Sequence, residues 1–183
     1  MYRQKIVMIM ACSPEGILAI DGSMPWSEPE DLRRFKTLTT NNVIIYGRKT
    51  FESFNCNPLP QRKNYIISRS LSSNIENNYT SLFYDIESAI STARLLYENK
   101  TIYIAGGASI YEQTLPIVDE IELTIINKER VNYKEGTKTM FPNWGTFRNN
   151  FKEETFTKSK TCEYITYKRK PISYINKIGA FFL

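Results

Sequence analysis

The 183-residue chain predicts an α/β fold, a largely parallel sheet flanked by helices. Three observations carry this. Short runs of β-branched and aromatic residues are apolar almost throughout, as in strands covered on both faces. Segments of helical period lie between them, so parallel strands joined by right-handed crossovers are expected. The length suits one well-buried core, and no linker, repeat or low-complexity tract marks a second domain.

In order, KIVMIMAC (5–12) is the first strand expected. PEDLRRFKTLTT (29–40) opens with Pro29 and acids, the usual composition of a first helical turn. NNVIIYG (41–47) and NYIISR (64–69) read as strands, and DIESAISTARLLYE (85–98) as a helix with apolar residues at 86, 89, 90, 93 and 96. TIYIAG (101–106) is a strand, ASIYEQTLP (108–116) a helix stopped by Pro116, and EIELTIIN (120–127) another strand. EETFTKSK (153–160) and CEYITYKRK (162–170) read as an antiparallel pair.

Composition excludes several chemistries. The chain has no histidine, which removes Ser-His-Asp and Cys-His mechanisms and most zinc hydrolases. Acid–base work falls to Asp, Glu, Tyr, Cys or Lys. Its three cysteines, at 12, 56 and 162, are widely spaced without a CxxC, so a reducing, cytoplasmic setting is expected and neither a disulfide framework nor a metal centre. The net charge of +5 fits an anionic ligand, but basic residues are scattered, which argues against a nucleic-acid surface. The N-terminus carries no signal pattern, and no apolar run approaches the ~18 residues of a membrane span.

Four stretches carry chemistry. Asp31, Phe35 and Leu38 share a helical face, so an acid stands in line with an apolar stripe. Asp31 either serves the helix dipole or is a carboxyl whose pKa is raised by burial for proton transfer. In IIYGRKTFES (44–53) a strand ends at Gly47, and Arg48, Lys49 and Thr50 begin a helix, a set suited to phosphate; Ser68 and Arg69 repeat the device at the next strand end. DGSMPWSEP (21–29) is a turn-rich loop able to close over a site, and PLPQRKN (58–64) stiffens the approach to Arg62, suited to a carboxylate. Gly106 and Gly107 stand where a strand gives way to a helix, which points to backbone geometry that side chains forbid or to close approach of a ligand. Together these stretches point to a dinucleotide held at strand ends, without a GxGxxG fingerprint.

The motifs MPW…D…F, GRKTFES, PLPQRKN, IISR and GG…IYEQTLP, in this order and spacing, resemble the dihydrofolate reductase family over residues 4 to 170. The resemblance implies a mixed, mostly parallel eight-stranded sheet in a domain at 1–170, with an apolar extension at 171–183. It implies reduction of 7,8-dihydrofolate by NADPH to tetrahydrofolate, which serves one-carbon metabolism. Asp31 would promote protonation of the pterin N5 and bond its amino group and N3, while Met24 and Trp26 would belong to the mobile loop beside the nicotinamide. Ile9, Phe35, Phe54, Leu59 and Ala105 would line the substrate pocket, Thr124 would support the pterin amino group through water, and Arg62 would take the glutamate carboxylate. Arg48, Lys49, Thr50, Ser68 and Arg69 would surround the adenosine 2′-phosphate and ribose; Ala11, Leu18, Ala19, Gly47, Ala108, Ser109 and Ile110 would also contact the cofactor. Gly106-Gly107 would be a cis pair, and Tyr111 would lie near the nicotinamide.

The chain departs from the family pattern at Ala19 (usually glycine), Ala105 (usually larger), Asn57 (basic in some members) and Lys138 (aspartate in many bacterial members). Alternatives are a related reductase, such as that of riboflavin synthesis, which Asp31 with Phe35 and Arg62 argues against, and a basic nucleotide-binding module without turnover, which the acid together with the cofactor cradle disfavours. A monomer is expected, with a dimer through the tail as the alternative. The apolar tail residues Ile172, Tyr174, Ile175, Ile178, Phe181, Phe182 and Leu183 are expected to pack on the domain or on a second copy.

Overall fold

The computed structural model describes residues 4–71 and 73–171. The apolar tail residues from Ile172 to Leu183 lie outside these. In chain order the elements are β1 (Ile6–Cys12), β2 (Ile17–Ile20), α1 (Pro29–Thr39), β3 (Val43–Gly47), α2 (Arg48–Ser53), β4 (Lys63–Ile67), β5 (Thr80–Phe83), α3 (Ile86–Leu96), β6 (Ile102–Ile104), α4 (Ala108–Thr114), β7 (Glu120–Ile126), β8 (Lys138–Met140), β9 (Phe151–Lys158) and β10 (Cys162–Arg169). An eight-stranded sheet has the order β5-β4-β3-β6-β1-β7-β10-β9. The pairings from β5 to β7 are parallel, and β10 runs antiparallel to both β7 and β9. The mixed, mostly parallel α/β architecture expected from the sequence is borne out.

Strand alternation divides the core into two layers. Ile6, Met8, Met10 and Cys12 of β1 join Val43, Ile45, Ile102, Ile104, Ile121 and Leu123 in one cluster, covered by Ile86, Ala89, Ile90 and Ala93 of α3 and Ile110 and Tyr111 of α4. Val7 and Ile9 of β1 join Ile44, Tyr46, Ile66 and Tyr103 in the other, where Phe51 of α2 and Phe35 and Leu38 of α1 pack. Both faces of β1, β3 and β6 are therefore apolar, which is why these runs lack a polar alternation. In β7 the positions alternating with Ile121 and Leu123 are Glu120, Glu122 and Thr124, all buried. That polar row belongs to the face over which α1 lies.

The structure differs from the sequence reading at several elements. Ile17–Ile20 and Lys138–Met140, neither among the expected strands, pair antiparallel as β2 and β8 through Ile17↔Met140, Ala19↔Thr139 and Ile20↔Lys138. β5 was not foreseen; it is an edge strand, mostly half-buried, tied in by the Asn64 N–H on the Tyr79 carbonyl (2.7 Å) and the Ser68 N–H on the Phe83 carbonyl (2.9 Å). Leu96, the last apolar position of the α3 period, is 59% exposed, because the helix ends there, one turn beyond its last buried residue, Ala93.

Candidate functional site

Asp31 occupies the first turn of α1, which begins with Pro29 at its N-terminal positions. The helical period that turns Phe35 and Leu38 onto the sheet brings Asp31 toward β7, where Thr124 is 1% exposed and lies in register with Ala11 of β1. Burial, the largest cause, holds the Asp31 carboxyl above the usual aspartate range; the bonded Thr124 hydroxyl and the Arg34 charge pull it down, and Glu28 pushes it up. Arg34 is itself ion-paired with Glu122. An acid that keeps its proton to higher pH than a free aspartate is a candidate for proton transfer.

Ile9 and Ala105 lie on the same layer as Phe35. The Ala105 N–H donates to the Ile45 carbonyl at 2.8 Å, which places this residue just beyond the end of β6. From the opposite layer, the Tyr111 hydroxyl donates to the Ile9 carbonyl at 2.9 Å, tying α4 to β1 beneath the site. In the loop before α1, Trp26 packs with Ala11 and Tyr164 around Ile126, Val131 and Cys162, whereas Met24 points outward and is 53% exposed. The Asn132 N–H clasps that loop by donating to the Pro25 carbonyl at 2.7 Å.

Arg62 is only 4% exposed and is tethered by three hydrogen bonds. Its Nε donates to Thr39 Oγ1 (2.9 Å), Nη1 to the Pro60 carbonyl (2.6 Å) and Nη2 to the Lys36 carbonyl (3.3 Å), and the guanidinium stands 5.9 Å from the centre of the Phe35 ring. A guanidinium has five N–H donors, so N–H groups remain for a carboxylate, in a fork already fixed. Sequence reasoning missed the residue that organises this corner. Asn64 is fully buried; its Oδ1 accepts from the Tyr46 hydroxyl (2.8 Å) and the Leu59 N–H (2.9 Å), and its Nδ2 donates to the Leu59 (2.9 Å) and Arg62 (3.1 Å) carbonyls. An asparagine directly before the apolar run 65–67 was the available signal. Phe54 meets the Tyr46 ring edge-on at 5.7 Å.

The second half of the site forms where β3 and β6 end. The Gly47 N–H donates to the Gly106 carbonyl at 2.7 Å, the Gly106-Gly107 peptide is cis, and Gly106 has φ +100. A Cβ on Gly106 would stand 3.0 Å from the Tyr111 hydroxyl oxygen, and one on Gly107 would stand 3.6 Å from Thr50 Oγ1. Bare backbone thus faces the Thr50 hydroxyl, leaving open a space that a side chain would fill. Around it stand Lys49 and Arg69, both exposed, and Ser68, whose Oγ accepts from the Ser70 and Leu71 N–H groups (3.1 Å each). Arg48 lies at the same strand end, but its Nη1 is bonded to Glu52 Oε1 at 2.6 Å, a partner one helical turn away that sequence reasoning overlooked. Ala108, Ser109 and Ile110 open α4, with the Ser109 Oγ accepting from Gln113 Nε2 at 3.1 Å. Leu18 and Ala19 sit on the ribbon formed with β8. These residues fit a phosphate-bearing dinucleotide: glycines permit close approach, and exposed cations flank the strand ends.

Comparison with known proteins agrees along the chain. A family model described as dihydrofolate reductase matches residues 5–170. The dihydrofolate reductase of Haemophilus influenzae is 33% identical over 168 residues, covering 89% of this chain and 98% of that one. The bifunctional dihydrofolate reductase-thymidylate synthase of Paramecium tetraurelia is 36% identical over 124 residues, or 67% of this chain but only 26% of that protein's own length. Among solved structures, the dihydrofolate reductase from Enterococcus faecalis complexed with NADP(H) and RAB-propyl shares the fold, with a TM-score of 0.74 at 23% identity over 91% of this chain and 97% of that one. No helix among the described residues is long and apolar enough to cross a membrane. With the match running from the first strand through the last, this chain belongs to the dihydrofolate reductase family.

Proposed function

We propose that this chain performs the reaction of its family, the NADPH-dependent reduction of 7,8-dihydrofolate to 5,6,7,8-tetrahydrofolate, with hydride added at C6 and a proton at N5. The observation that carries this reading is a half-buried acid on α1, facing Thr124 and lying on the same layer as a tethered, buried arginine. NADPH supplies the hydride when bound. Asp31 promotes protonation at N5 and bonds the pterin amino group and N3, and Thr124 supports that amino group through water. Ile9, Phe35, Phe54, Leu59 and Ala105 exclude water from the pterin, and Arg62 takes the carboxylate of the glutamate tail. Gly106 and Gly107 admit the cofactor, while Arg48, Lys49, Thr50, Ser68 and Arg69 hold its 2′-phosphate and ribose. Ala11, Leu18, Ala19, Gly47, Ala108, Ser109, Ile110 and Tyr111 complete the cofactor's surroundings, and Met24 and Trp26 cover the nicotinamide side. We read the protein as a monomer of a reducing, cytoplasmic compartment, which its three free cysteines support.

The test is NADPH oxidation followed at 340 nm with and without dihydrofolate. Oxidation that depends on dihydrofolate is expected. Binding of NADPH without turnover, or turnover stimulated only by a pyrimidine substrate, would replace this reading with one of its alternatives.

A further inference from the structure

A second acid near the start of α1 is more deeply buried than Asp31. Glu28, the N-cap of that helix, is 5% exposed. One of its carboxylate oxygens, Oε1, accepts from the Glu30 N–H at 3.4 Å. The other, Oε2, is buried and accepts no hydrogen bond from the described residues. Its cation is Arg130, whose Nε stands 3.5 Å away on the turn Lys128–Arg130 and whose side chain is 50% exposed. A carboxylate so deep, with one long N–H bond and a half-solvated partner, has its charge only partly compensated. Asp31 lies three residues further on, the spacing of neighbours on a helix.

We propose that Glu28, buried at the N-cap of α1 three residues before Asp31, is a positioning residue for the proton site: its carboxylate, with one oxygen lacking a hydrogen bond among the described residues and the half-solvated Arg130 beside it, sets the electrostatic surroundings in which the Asp31 carboxyl works. This rests on the reading of Asp31 as the proton site. The charged and titratable groups around the pair come from every side. Arg34 on α1 and Thr124 on β7 favour the ionised Asp31, and Glu28 with burial favours the neutral one. The Cys162 thiol and Tyr164 hydroxyl on β10 and the Tyr111 hydroxyl on α4 are each pushed up by burial, so they stay neutral where Asp31 titrates. Glu30 lies against Tyr164, and Arg130 against Glu28. The helix dipole acts on Asp31 in the opposite direction to Glu28. Without the Glu28 charge, Arg34, Thr124 and the dipole have the larger say.

The test compares the pH dependence of single-turnover hydride transfer in the unmodified protein with Glu28→Gln, Glu28→Ser and Glu28→Asp. In parallel, the Asp31 carboxyl carbon is titrated by NMR in the protein alone. Glu28→Gln and Glu28→Ser both keep an acceptor for the helix N-terminus and remove the charge, so the second reports if the first folds poorly. Both are expected to move the midpoint of the rate and of the NMR titration resolvably to lower pH, while Glu28→Asp, which keeps the charge, restores it. A merely structural role would lower stability and leave the midpoint in place, and that result overturns the proposal. If Asp31→Asn flattens the profile while Glu28→Gln and Glu28→Ser leave the midpoint unmoved, only the role of Glu28 falls. If Asp31→Asn leaves the profile unchanged, both readings fall.

Discussion

Arg62 and Arg48 stand at opposite ends of the site, and they are held on different terms. Arg62 is 4% exposed and gives three N–H bonds to Thr39, Pro60 and Lys36. Arg48 has a side chain 40% exposed and bonds one neighbour on its own helix, Glu52, itself 43% exposed. A buried guanidinium must have its donors satisfied, so the protein fixes its orientation before any ligand arrives. An exposed one is solvated whichever way it points, and a surface ion pair is worth only ~0–1 kcal/mol, so a phosphate displaces Glu52 easily. The same contrast separates Asp31, enclosed between α1 and β7, from Lys49 and Arg69, which stand in solvent. On the proposed assignment, the substrate end is preorganised and the cofactor end recruits its charges on binding.

The sharpest way to break this contrast is at the acid. Asp31→Asn is expected to keep the fold and slow hydride transfer at pH 7 by ~10² to 10⁴, with partial recovery at low pH where solvent supplies the proton. Unchanged single-turnover rates at pH 7 would sink the role. The sign of its stability effect follows from the raised pKa. Between the ordinary aspartate value and the raised one, the folded protein binds more protons than the unfolded chain, so stability falls as pH rises through that window. Asp31→Asn removes this penalty, and its melting temperature at neutral pH should match or exceed that of the unmodified protein.

At the recruiting end, Arg48→Ala combined with Lys49→Ala should narrow the preference for NADPH over NADH, by tens- to hundreds-fold for each charge-assisted bond lost at about 1.5–3 kcal/mol. Equal catalytic efficiency with both cofactors in the unmodified protein would refute the assignment. Between the two ends, Ala105→Ile should tighten a small diaminopyrimidine inhibitor by roughly 1–2 kcal/mol, less than three buried methylene equivalents at ~0.8 kcal/mol each because burial is incomplete. Paired inhibition constants and melting curves separate this from overpacking, which would weaken binding and destabilise the protein by ~1–3 kcal/mol. The smallest effect is expected from Glu52→Ala. Freeing Arg48 should tighten NADPH by at most ~1 kcal/mol, about fivefold, in a binding titration at low salt. A loss of affinity would mean that Glu52 orients Arg48 rather than competing for it.

Much of the site was legible because it follows local periods. Asp31 in line with Phe35 and Leu38 is a helical spacing, Gly106-Gly107 between strand and helix is a backbone signal, and Arg48, Lys49 and Thr50 after Gly47 mark a strand end. Arg62 was legible as a candidate but not as a buried group, since its three acceptors come from α1 and from the turn before it. Asn64 and Glu28 escaped notice for the same reason. Their importance lies in what surrounds them, and an asparagine in a strand or a glutamate before a helix is unremarked until burial makes its hydrogen bonds obligatory.

What the sequence determined by itself is whatever repeats within a few residues. Strands apolar on both faces, helices with one apolar stripe and glycines where side chains do not fit together dictate a sheet layered between helices, with ligand groups at the strand ends. Only the tertiary structure decided which distant segments meet. It brought β2 to β8, enclosed Arg62 between α1 and β4, and set Arg130 beside Glu28. Those partners are far apart along the chain, and their pairing is chosen by the burial of whole faces at once. Whether a given charge ends up fixed or free is therefore a property of the packed molecule rather than of its neighbours in sequence.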